Sequence, residues 1–367
     1  MAGLNETPSG DRIRISFFGW RNAGKSTLVN ALTGQEIAIV SDVPGTTTDP
    51  VSKAMEILPL GPCLLTDTAG LDDEGPLGEE RVRRSLEVLE KTDIAVWVGE
   101  RDGEFAAACS RRGVPMLVYR RGDSVGSLKR QIAAVKLADE PPPLLKDLVS
   151  PGDIVACVCP IDESAPKGRL ILPQQQVVRE LLDVGCSALV CQPAELAAHF
   201  AAGINIALVV TDSQAFGAVA AVVPPNVPLT SFSILFARQK GDLAAYREGV
   251  DSIAALKDGD RVLVAEGCTH HRQCNDIGTA KIPKALAKLT GGKALDFTFC
   301  SGASFPLEGG GYSLVVHCGG CMLSRRVVLG RIAACRQAHV PVVNYGMLLA
   351  AANGIRTKAD TCFVVPS

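Results

Sequence analysis

The sequence has no long uninterrupted hydrophobic run. Its longest apolar stretches are broken by His199, Asn205 or Pro224-Pro225, whereas a membrane-spanning helix needs about 20 consecutive apolar residues. Residues 1–11 are polar and lack the apolar segment of a secretory signal peptide. We therefore expect a cytoplasmic protein that makes no contact with a membrane.

The chain also lacks an excess of charge of either sign. Its 367 residues have a formal net charge of −2, and the two signs are scattered. Proteins that bind nucleic acid usually carry a basic patch, so this balance argues against such a partner. We find no internal repeat and no low-complexity tract.

Cysteine is abundant, but its pattern does not indicate disulfides. The count of 13 is odd, and a chain of this length with 47% hydrophobic residues can build cores without disulfide staples. We interpret the cysteines as thiols in a reducing compartment. Most of them are isolated in apolar surroundings, which is typical of packing residues.

Five thiol and imidazole side chains cluster at two points near the carboxyl end of the chain. Cys268 and His270 follow the apolar run 261–266, and the segment His317-Cys318-Gly319-Gly320-Cys321 follows the apolar run 313–316. Such runs are typical of parallel strands covered on both faces. If the two strands are neighbours, their carboxyl ends bring both groups to one crevice.

Three thiolates at one point suit an iron–sulfur cluster or zinc, and packing cysteines are the third possibility that the residue types leave open. A fourth ligand would have to be a histidine, Cys274 or a group from outside the chain. Cys274 lies six positions after Cys268 and could serve as a spare ligand, but we favour a structural thiol there.

A second motif lies near the amino terminus. The segment from Gly19 to Ser26, GWRNAGKS, matches the phosphate-binding pattern GxxxxGK[ST] between a predicted strand and a predicted helix. Its glycines let backbone N–H groups surround phosphate, Lys25 contacts the β and γ oxygens, and Ser26 binds magnesium.

Further segments resemble GTPases of the TrmE/Era type over roughly residues 12–135. PGTTTD at 44–49 resembles a switch segment, and DTAG at 67–70 fits the DxxG element. The resemblance implies that Thr47 and Asp67 hold magnesium, Asn22 binds an activating potassium ion, and Glu79 orients the attacking water. Catalysis would rest on Lys25, Thr47 and Glu79. The implied nucleotide-binding residues are Gly19, Asn22, Ala23, Gly24, Lys25, Ser26, Thr27, Thr47, Asp67, Gly70 and Asp123.

The guanine-recognition element departs from this pattern. Where the family has NKxD, the chain has Arg120-Arg121-Gly122-Asp123, and a helix is predicted immediately afterwards. Asp123 retains a carboxylate for guanine, but the asparagine and lysine are replaced. We predict a shortened G domain with intact phosphate chemistry and weak base discrimination.

The predicted fold is α/β with three domains: a shortened TrmE/Era-like P-loop G domain at 10–138, a parallel-sheet βαβ domain at 148–258, and a cysteine-bearing α/β domain at 259–367. The joints are the proline-rich segment 139–143 and the turn 257–260. Arg238 lies in the stretch 230–241, which combines basic and apolar residues. We consider a solvated charge on a loop and a functional role equally consistent with this pattern.

Six stretches, in order, resemble the HydF family, the GTPase and scaffold of iron-only (FeFe) hydrogenase maturation. They are PIDESAPKGRLILPQ, TDSQAF, PLTSFSILFARQKGD, CTHHRQCNDIGTAKIP, HCGGCM and PVVNYG. The resemblance spans about residues 12–354 and includes the motif CxH followed by HCxxC.

The HydF resemblance implies a 4Fe–4S cluster on Cys268, Cys318 and Cys321, with a labile fourth position for which His270 and His317 are candidates. For each histidine the alternative is a hydrogen bond to a ligand of the cluster rather than a bond to iron. The middle domain would form a homodimer, with a higher oligomer also possible, and 259–367 would bind the cluster. The protein would receive a transient diiron precursor from the radical-SAM maturases HydE and HydG and deliver it to apo FeFe-hydrogenase.

Two other functions remain as alternatives. One is a self-contained iron–sulfur NTPase that drives electron transfer, although the sequence has no substrate-type acid/base pair. The other is a tRNA-modifying GTPase with structural zinc, which the charge balance disfavours.

Overall fold

The computed structural model describes residues 9–34, 51–71, 85–137, 141–161, 168–267, 277–302 and 304–363. The chain divides into two compact units, Met1–Glu140 and Pro141–Ser367. Each unit has hydrophobic cores of its own.

The first unit is built on a five-stranded sheet. The strand order is β2-β3-β1-β4-β5, with β2 antiparallel to β3 and the other pairs parallel. The strands are β1 Ile13–Phe18, β2 Val51–Ile57, β3 Gly61–Asp67, β4 Ile94–Val98 and β5 Met116–Tyr119. The helices are α1 Lys25–Thr33, α2 Gly103–Arg111 and α3 Val125–Ala133; a short 3-10 turn spans Ser9–Asp11, and residues 85–89 are helical.

Alternation along the strands of the first unit produces a core on each face of the sheet. Phe17 and Val96 pack with α1 and α3, whereas their neighbours Phe18 and Trp97 pack with Phe105 of α2. This is why the strands read as continuous apolar runs. After β5 the chain enters α3 at once, and residues 125–137 contain no further strand, as the sequence predicts for a shortened G domain.

The second unit contains two four-stranded sheets in which every pairing is parallel. Their orders are β7-β6-β8-β9 and β11-β10-β12-β13. The strands are β6 Ile154–Val158, β7 Ser187–Cys191, β8 Ile206–Thr211, β9 Leu229–Ser231, β10 Arg261–Glu266, β11 Asp296–Ser301, β12 Leu314–His317 and β13 Val342–Asn344. The predicted parallel sheets are therefore confirmed.

Helices connect and cover these strands. They are α4 Leu172–Asp183, α5 Leu196–Ala201, α6 Phe216–Ala220, α7 Phe232–Lys240, α8 Leu243–Ser252, α9 Ile282–Thr290, α10 Arg325–Gln337, α11 Tyr345–Ala352 and α12 Arg356–Thr361. Single turns span Ser213–Ala215 and Ile253–Ala255, and a π-helical turn spans Ile277–Lys281. Within the described ranges, no helix is long and apolar enough to cross a membrane.

One core joins the two sheets of the second unit. Val158 and Leu229 from the first sheet belong to the same buried cluster as Val264 and Val316 from the second. The predicted segments 148–258 and 259–367 thus lie in a single compact unit and bury apolar surface against each other.

The stretch 230–241 is strand and helix rather than a solvated loop. Ser231 caps α7, its Oγ accepting from the Ile234 N–H at 3.2 Å. The helix buries Leu235 and Phe236 along with Lys240, so apolar residues lie on several of its faces and no helical period is visible in the sequence. Arg238 forms an ion pair with Asp147.

Helix α8 approaches β13 closely at Gly249. A Cβ on Gly249 would lie 2.0 Å from the Val342 carbonyl oxygen and 2.5 Å from its carbon. Because these are backbone atoms, Gly249→Ala should lower the free energy of unfolding of the second unit by about 1–3 kcal/mol or more, measured by urea unfolding. Gly330→Ala is the matched control, since this helical glycine of α10 has nothing within 4 Å and alanine should gain about 0.5–1 kcal/mol. Equal stability of both variants would contradict this close packing.

Candidate functional sites: a phosphate-binding loop and a cysteine loop

The phosphate-binding motif forms the turn between β1 and α1. Gly19 and Gly24 have φ values of 153° and 94°, and Asn22 adopts φ 58°. A Cβ on Gly19 would lie 2.5 Å from the Val98 carbonyl oxygen, so only glycine lets the loop pass that close to β4. Ala23 closes the turn, its N–H donating to the Trp20 carbonyl at 3.3 Å.

Lys25 is buried and reaches back over the loop. Its Nζ donates to the carbonyl oxygens of Gly19 at 3.1 Å and Trp20 at 2.8 Å. The ammonium is therefore held at the mouth of the loop, where the motif requires a cation for phosphate oxygens. Thr27 is exposed on the first turn of α1.

Two of the three magnesium ligands predicted from the sequence lie next to each other, Ser26 at the start of α1 and Asp67 at the end of β3. Ser26 Oγ donates to Asp67 Oδ2 at 2.5 Å, and Asp67 Oδ1 is buried without a hydrogen-bond partner. Burial raises the pKa of Asp67, although the hydrogen bond from Ser26 opposes the shift. An orphaned carboxylate oxygen beside a serine hydroxyl fits a hard cation that takes oxygen ligands.

The rest of the DTAG element also contacts the loop region. Thr68 Oγ1 donates to the Phe17 carbonyl at 2.7 Å, and the Leu71 N–H donates to the Gly19 carbonyl at 3.3 Å. The buried Gly70 lies between these contacts. Thr47 and Glu79 lie outside the described residues.

The loop in the position of NKxD is closed by its own aspartate. Asp123 Oδ2 accepts from the Arg120 N–H at 2.7 Å, and the Tyr119 hydroxyl donates to the Asp123 carbonyl at 2.9 Å. The Arg120 guanidinium pairs with Glu100 at 3.1 Å. One carboxylate oxygen of the residue expected to read guanine is thus engaged within the loop.

Both tryptophans of the chain lie beside the phosphate-binding loop. Trp20 is partly exposed, and its ring meets that of Trp97 edge to face, with centroids 5.3 Å apart. Since the chain has two tryptophans, its tryptophan fluorescence comes from Trp20 and Trp97 beside this loop.

In the second unit, the strands that precede the two cysteine groups are neighbours, as the sequence analysis required. β10 and β12 pair in parallel, with Ala265 opposite His317. Their carboxyl ends therefore lie side by side. Cys268, His270 and Cys274 lie outside the described residues, and among those that are described no three histidine, cysteine or acidic side chains group to hold a metal.

The Cys318 sulfur lies in a cradle of backbone N–H groups. It accepts from the Gly267 N–H at 3.0 Å and from the Gly320 N–H at 3.4 Å. Burial raises the pKa of the Cys318 thiol, and the two amides oppose that shift because they favour the thiolate. A Cβ on Gly267 would lie 2.8 Å from Leu323 Cγ, so any larger residue at this position would have to displace the Leu323 side chain. Such N–H donors are what sulfur ligands of iron–sulfur clusters receive.

Residues 317–321 form the cysteine loop, and Cys321 lies at its other end. Cys321 is half-buried and is held through its backbone. The Lys240 ammonium, at the end of α7, donates to the carbonyl oxygens of Cys321 at 3.1 Å and Leu323 at 2.9 Å. In return, Arg325 Nη1 donates to the Gln239 carbonyl at 2.7 Å. These crossed contacts fix the cysteine loop against α7.

His317 is fully buried, and both ring nitrogens have partners. Nε2 lies 3.2 Å from Arg331 Nη1, and Nδ1 lies 2.7 Å from the Cys318 carbonyl. Because a guanidinium only donates, Nε2 accepts and Nδ1 carries the proton that it shares with Cys318. Burial, with help from the Arg331 charge, lowers the pKa of His317 to about 4, so the ring is neutral.

Arg331 and Lys240 were not found by sequence reasoning. For Arg331 a signal was present, because it lies on the stripe of α10 that also buries Val328, Ile332 and Cys335, which is the i, i+3, i+4, i+7 pattern of a core face. Of the thiols expected to pack in apolar surroundings, Cys362 is half-buried, and the others are buried: Cys63, Cys109, Cys157, Cys159, Cys186, Cys191, Cys300 and Cys335.

Three family models match successive parts of the chain. Residues 14–118 match the 50S ribosome-binding GTPase model, 144–241 the hydrogen maturase F dimerization domain, and 244–359 the hydrogen maturase F tetramerization domain. Sheet, phosphate-binding loop and family model together define a protein with a P-loop GTPase domain followed by oligomerisation domains. The chain belongs to the hydrogen maturase F (HydF) family.

Curated relatives match the G domain. The tRNA modification GTPase MnmE of Methylobacterium sp. (strain 4-46) is 44% identical over 113 residues, which are 29% of this chain and 26% of that protein. GTPase Der of Wolinella succinogenes is 46% identical over 98 residues, 26% and 20% of the two chains. The chain thus spans about a quarter of the length of these relatives.

Among solved structures, Era of Aquifex aeolicus bound to GDP and aluminium fluoride covers 79% of this chain and 92% of its own. Its sequence identity is 15% and its TM-score 0.25, a similarity too low to bear on the fold.

Proposed function

We propose that this GTPase of the hydrogenase maturation family is a scaffold and carrier, which holds a 4Fe–4S cluster and delivers a diiron precursor to apo FeFe-hydrogenase. The observation that carries the proposal is the Cys318 sulfur, cradled by two N–H groups at the paired ends of β10 and β12. The family models support the maturation context.

GTP hydrolysis would use the groups around the phosphate-binding loop. Lys25 would leave the loop carbonyls for the phosphate oxygens, and Ser26 and Asp67 would hold magnesium, with Asp67 acting through water. Thr47 would complete that site, Glu79 would orient water, and Asn22 would bind potassium. Positioning and charge stabilisation account for most phosphoryl-transfer catalysis. With Asp123 engaged in its own loop, base discrimination would be weak.

The cluster would be held by Cys268, Cys318 and Cys321. When bound, it would offer one exchangeable iron position for the diiron precursor, which is cargo rather than a resident group. Gly267 and Gly320 would stabilise the Cys318 thiolate through their N–H groups, and Lys240 would keep Cys321 in place. Since both nitrogens of His317 are engaged, we assign it to orienting the loop and leave the exchangeable position to His270 or an external ligand.

The segments matched by dimerization and tetramerization models support self-association. We place the dimer contact at β7 and α4. β7 is an edge strand of its sheet, and Val190 on β7 and Leu182 on α4 are 44% and 62% exposed. An exposed apolar edge strand invites pairing with another chain. The further partners would be apo FeFe-hydrogenase, HydE and HydG in the cytoplasm.

Val190→Lys should convert the dimer to a monomer, because a charge on an edge strand opposes edge-to-edge pairing. Size-exclusion chromatography with light scattering measures the change. Val190→Thr is the matched control, since it keeps a β-branched side chain suited to a strand and should remain dimeric. If Val190→Lys forms a dimer as stable as that of the wild type, the dimer contact does not lie at the β7 edge.

Metal analysis tests the proposed function. Protein purified without oxygen should be brown, contain iron and sulfide, and give an EPR signal after reduction. Zinc in place of iron, in a protein that is colourless, would favour a tRNA-modifying GTPase with structural zinc. Catalytic electron transfer to a small substrate would instead favour the self-contained redox enzyme.

A further inference from the structure

Arg331 of α10 is a buried cation beside the cysteine loop. It is 6% exposed and lies on the core stripe of its helix. Its Nη1 donates to His317 Nε2 at 3.2 Å, and its Nη2 donates to the carbonyl oxygens of Gly302 at 2.6 Å and Ser304 at 3.5 Å. The guanidinium also lies 4.9 Å over the Phe305 ring.

All of these partners are neutral. A guanidinium stays protonated in proteins, and a buried charge with only neutral acceptors is unfavourable unless an anion lies nearby. The ionisable groups with the largest electrostatic effect on Arg331 are the thiols of Cys318, Cys300 and Cys335 and the Tyr246 hydroxyl, and the buried Glu266 carboxylate is a further charge that acts on Cys318. Cys300, Cys335 and Tyr246 are buried in the core. Cys318 is half-buried and its sulfur receives two N–H donors, so an anionic group bound at Cys318 is the one expected to compensate the charge of Arg331.

A chain of hydrogen bonds also connects Arg331 to Cys318. Arg331 donates to His317 Nε2, which leaves the proton on Nδ1, and Nδ1 donates to the Cys318 carbonyl. Arg331 thereby sets the tautomer of His317 and, through it, the orientation of the Cys318 peptide.

We propose that Arg331 is a positioning residue and the buried counterion of an anionic iron–sulfur cluster on Cys318, an inference that rests on the proposed function. Reduction adds one negative charge to the cluster. A buried cation attracts that charge more strongly than an exposed cation would, because the effective dielectric constant of the interior is lower than that of water. Arg331 therefore raises the reduction potential of the cluster and slows its loss.

The test compares three variants of the full chain, reconstituted with iron and sulfide without oxygen. Arg331→Gln removes the charge but keeps hydrogen-bond donors, and Arg331→Lys keeps the charge. Arg336→Gln is the matched control: it removes an arginine from the same helix, where the side chain is 58% exposed and pairs with Asp242. The readouts are the midpoint potential from an EPR redox titration, iron release to a chelator, and circular dichroism of the iron-free protein.

At the midpoint potential of the wild type, Arg331→Gln should have a ratio of reduced to oxidised cluster that is about tenfold lower. This corresponds to a fall in midpoint potential of ~59 mV for one electron. The variant should also release iron faster. Arg331→Lys should recover most of the potential, and Arg336→Gln should match the wild type. If Arg331→Gln has the midpoint potential and the iron-release rate of the wild type, the proposal is wrong. So would an iron-free Arg331→Gln chain that fails to fold, since the arginine would then be structural. A wild type that takes up no iron would instead refute the proposed function.

Discussion

Replacing Cys318 or Cys321 with serine should abolish the iron–sulfur cluster and hydrogenase activation, while GTP hydrolysis continues. A serine hydroxyl does not ionise at neutral pH and is a poor ligand for iron, whereas thiolates are what hold such clusters. The backbone contacts that hold Cys321, from Lys240, do not involve its side chain, so the loop should stay in place. The iron content should fall from about four atoms per chain to near zero.

Cys186→Ser is the matched control for this experiment. The Cys186 thiol donates to the Ser150 carbonyl at 3.1 Å, a bond that a serine hydroxyl can replace, and it lies in the same compact unit. It should retain iron and activation. Since the phosphate-binding loop lies in the other unit, equal GTP hydrolysis in all three variants verifies that the first unit is folded, and circular dichroism of the iron-free variants checks the second. Full iron content in Cys318→Ser would contradict the assignment of this ligand.

Lys25→Ala should reduce GTP hydrolysis by about a hundredfold or more, the scale at which a single charge-stabilising donor acts in other enzymes. The residue is held over the loop by hydrogen bonds from its Nζ to the Gly19 and Trp20 carbonyls. Turnover is measured as phosphate release in potassium buffer, and nucleotide binding as the change in fluorescence of Trp20 and Trp97.

Lys129→Ala is the control, because it makes the same change on the exposed side of α3 in the same unit. It should hydrolyse GTP like the wild type and keep the fluorescence response. Lys25→Ala activity within a few-fold of the wild type would show that hydrolysis does not depend on this loop.

Local signals made much of the fold predictable. The phosphate-binding loop depends on spacing within eight residues and on flanking apolar runs, so Gly19, Lys25 and Ser26 lie where the sequence predicts. The pairing of β10 with β12 was left by the sequence as the condition for bringing the two cysteine groups together, and the structure fulfils it. Parallel sheets followed from the alternation of apolar strands and helices.

Other features depend on contacts between distant segments. Helix α7 is buried on several faces, so its sequence lacks the period that marks an amphipathic helix. The hydrogen bond from the Arg120 N–H to Asp123 depends on the conformation of the loop, which the residue types alone do not predict. Arg331 could be located on a core stripe, but its role depends on His317, fourteen residues away. Thr47, Glu79, Cys268 and His270 lie outside the described residues and stay predictions.

Activation of apo FeFe-hydrogenase by the purified, iron-loaded protein tests the central claim most directly. The loaded wild type, carrying the diiron precursor, should restore hydrogen evolution when mixed with the apoenzyme, and loaded preparations of Cys321→Ser should not. A protein that contains one zinc per chain and no iron, yet still activates the hydrogenase, would contradict the carrier function.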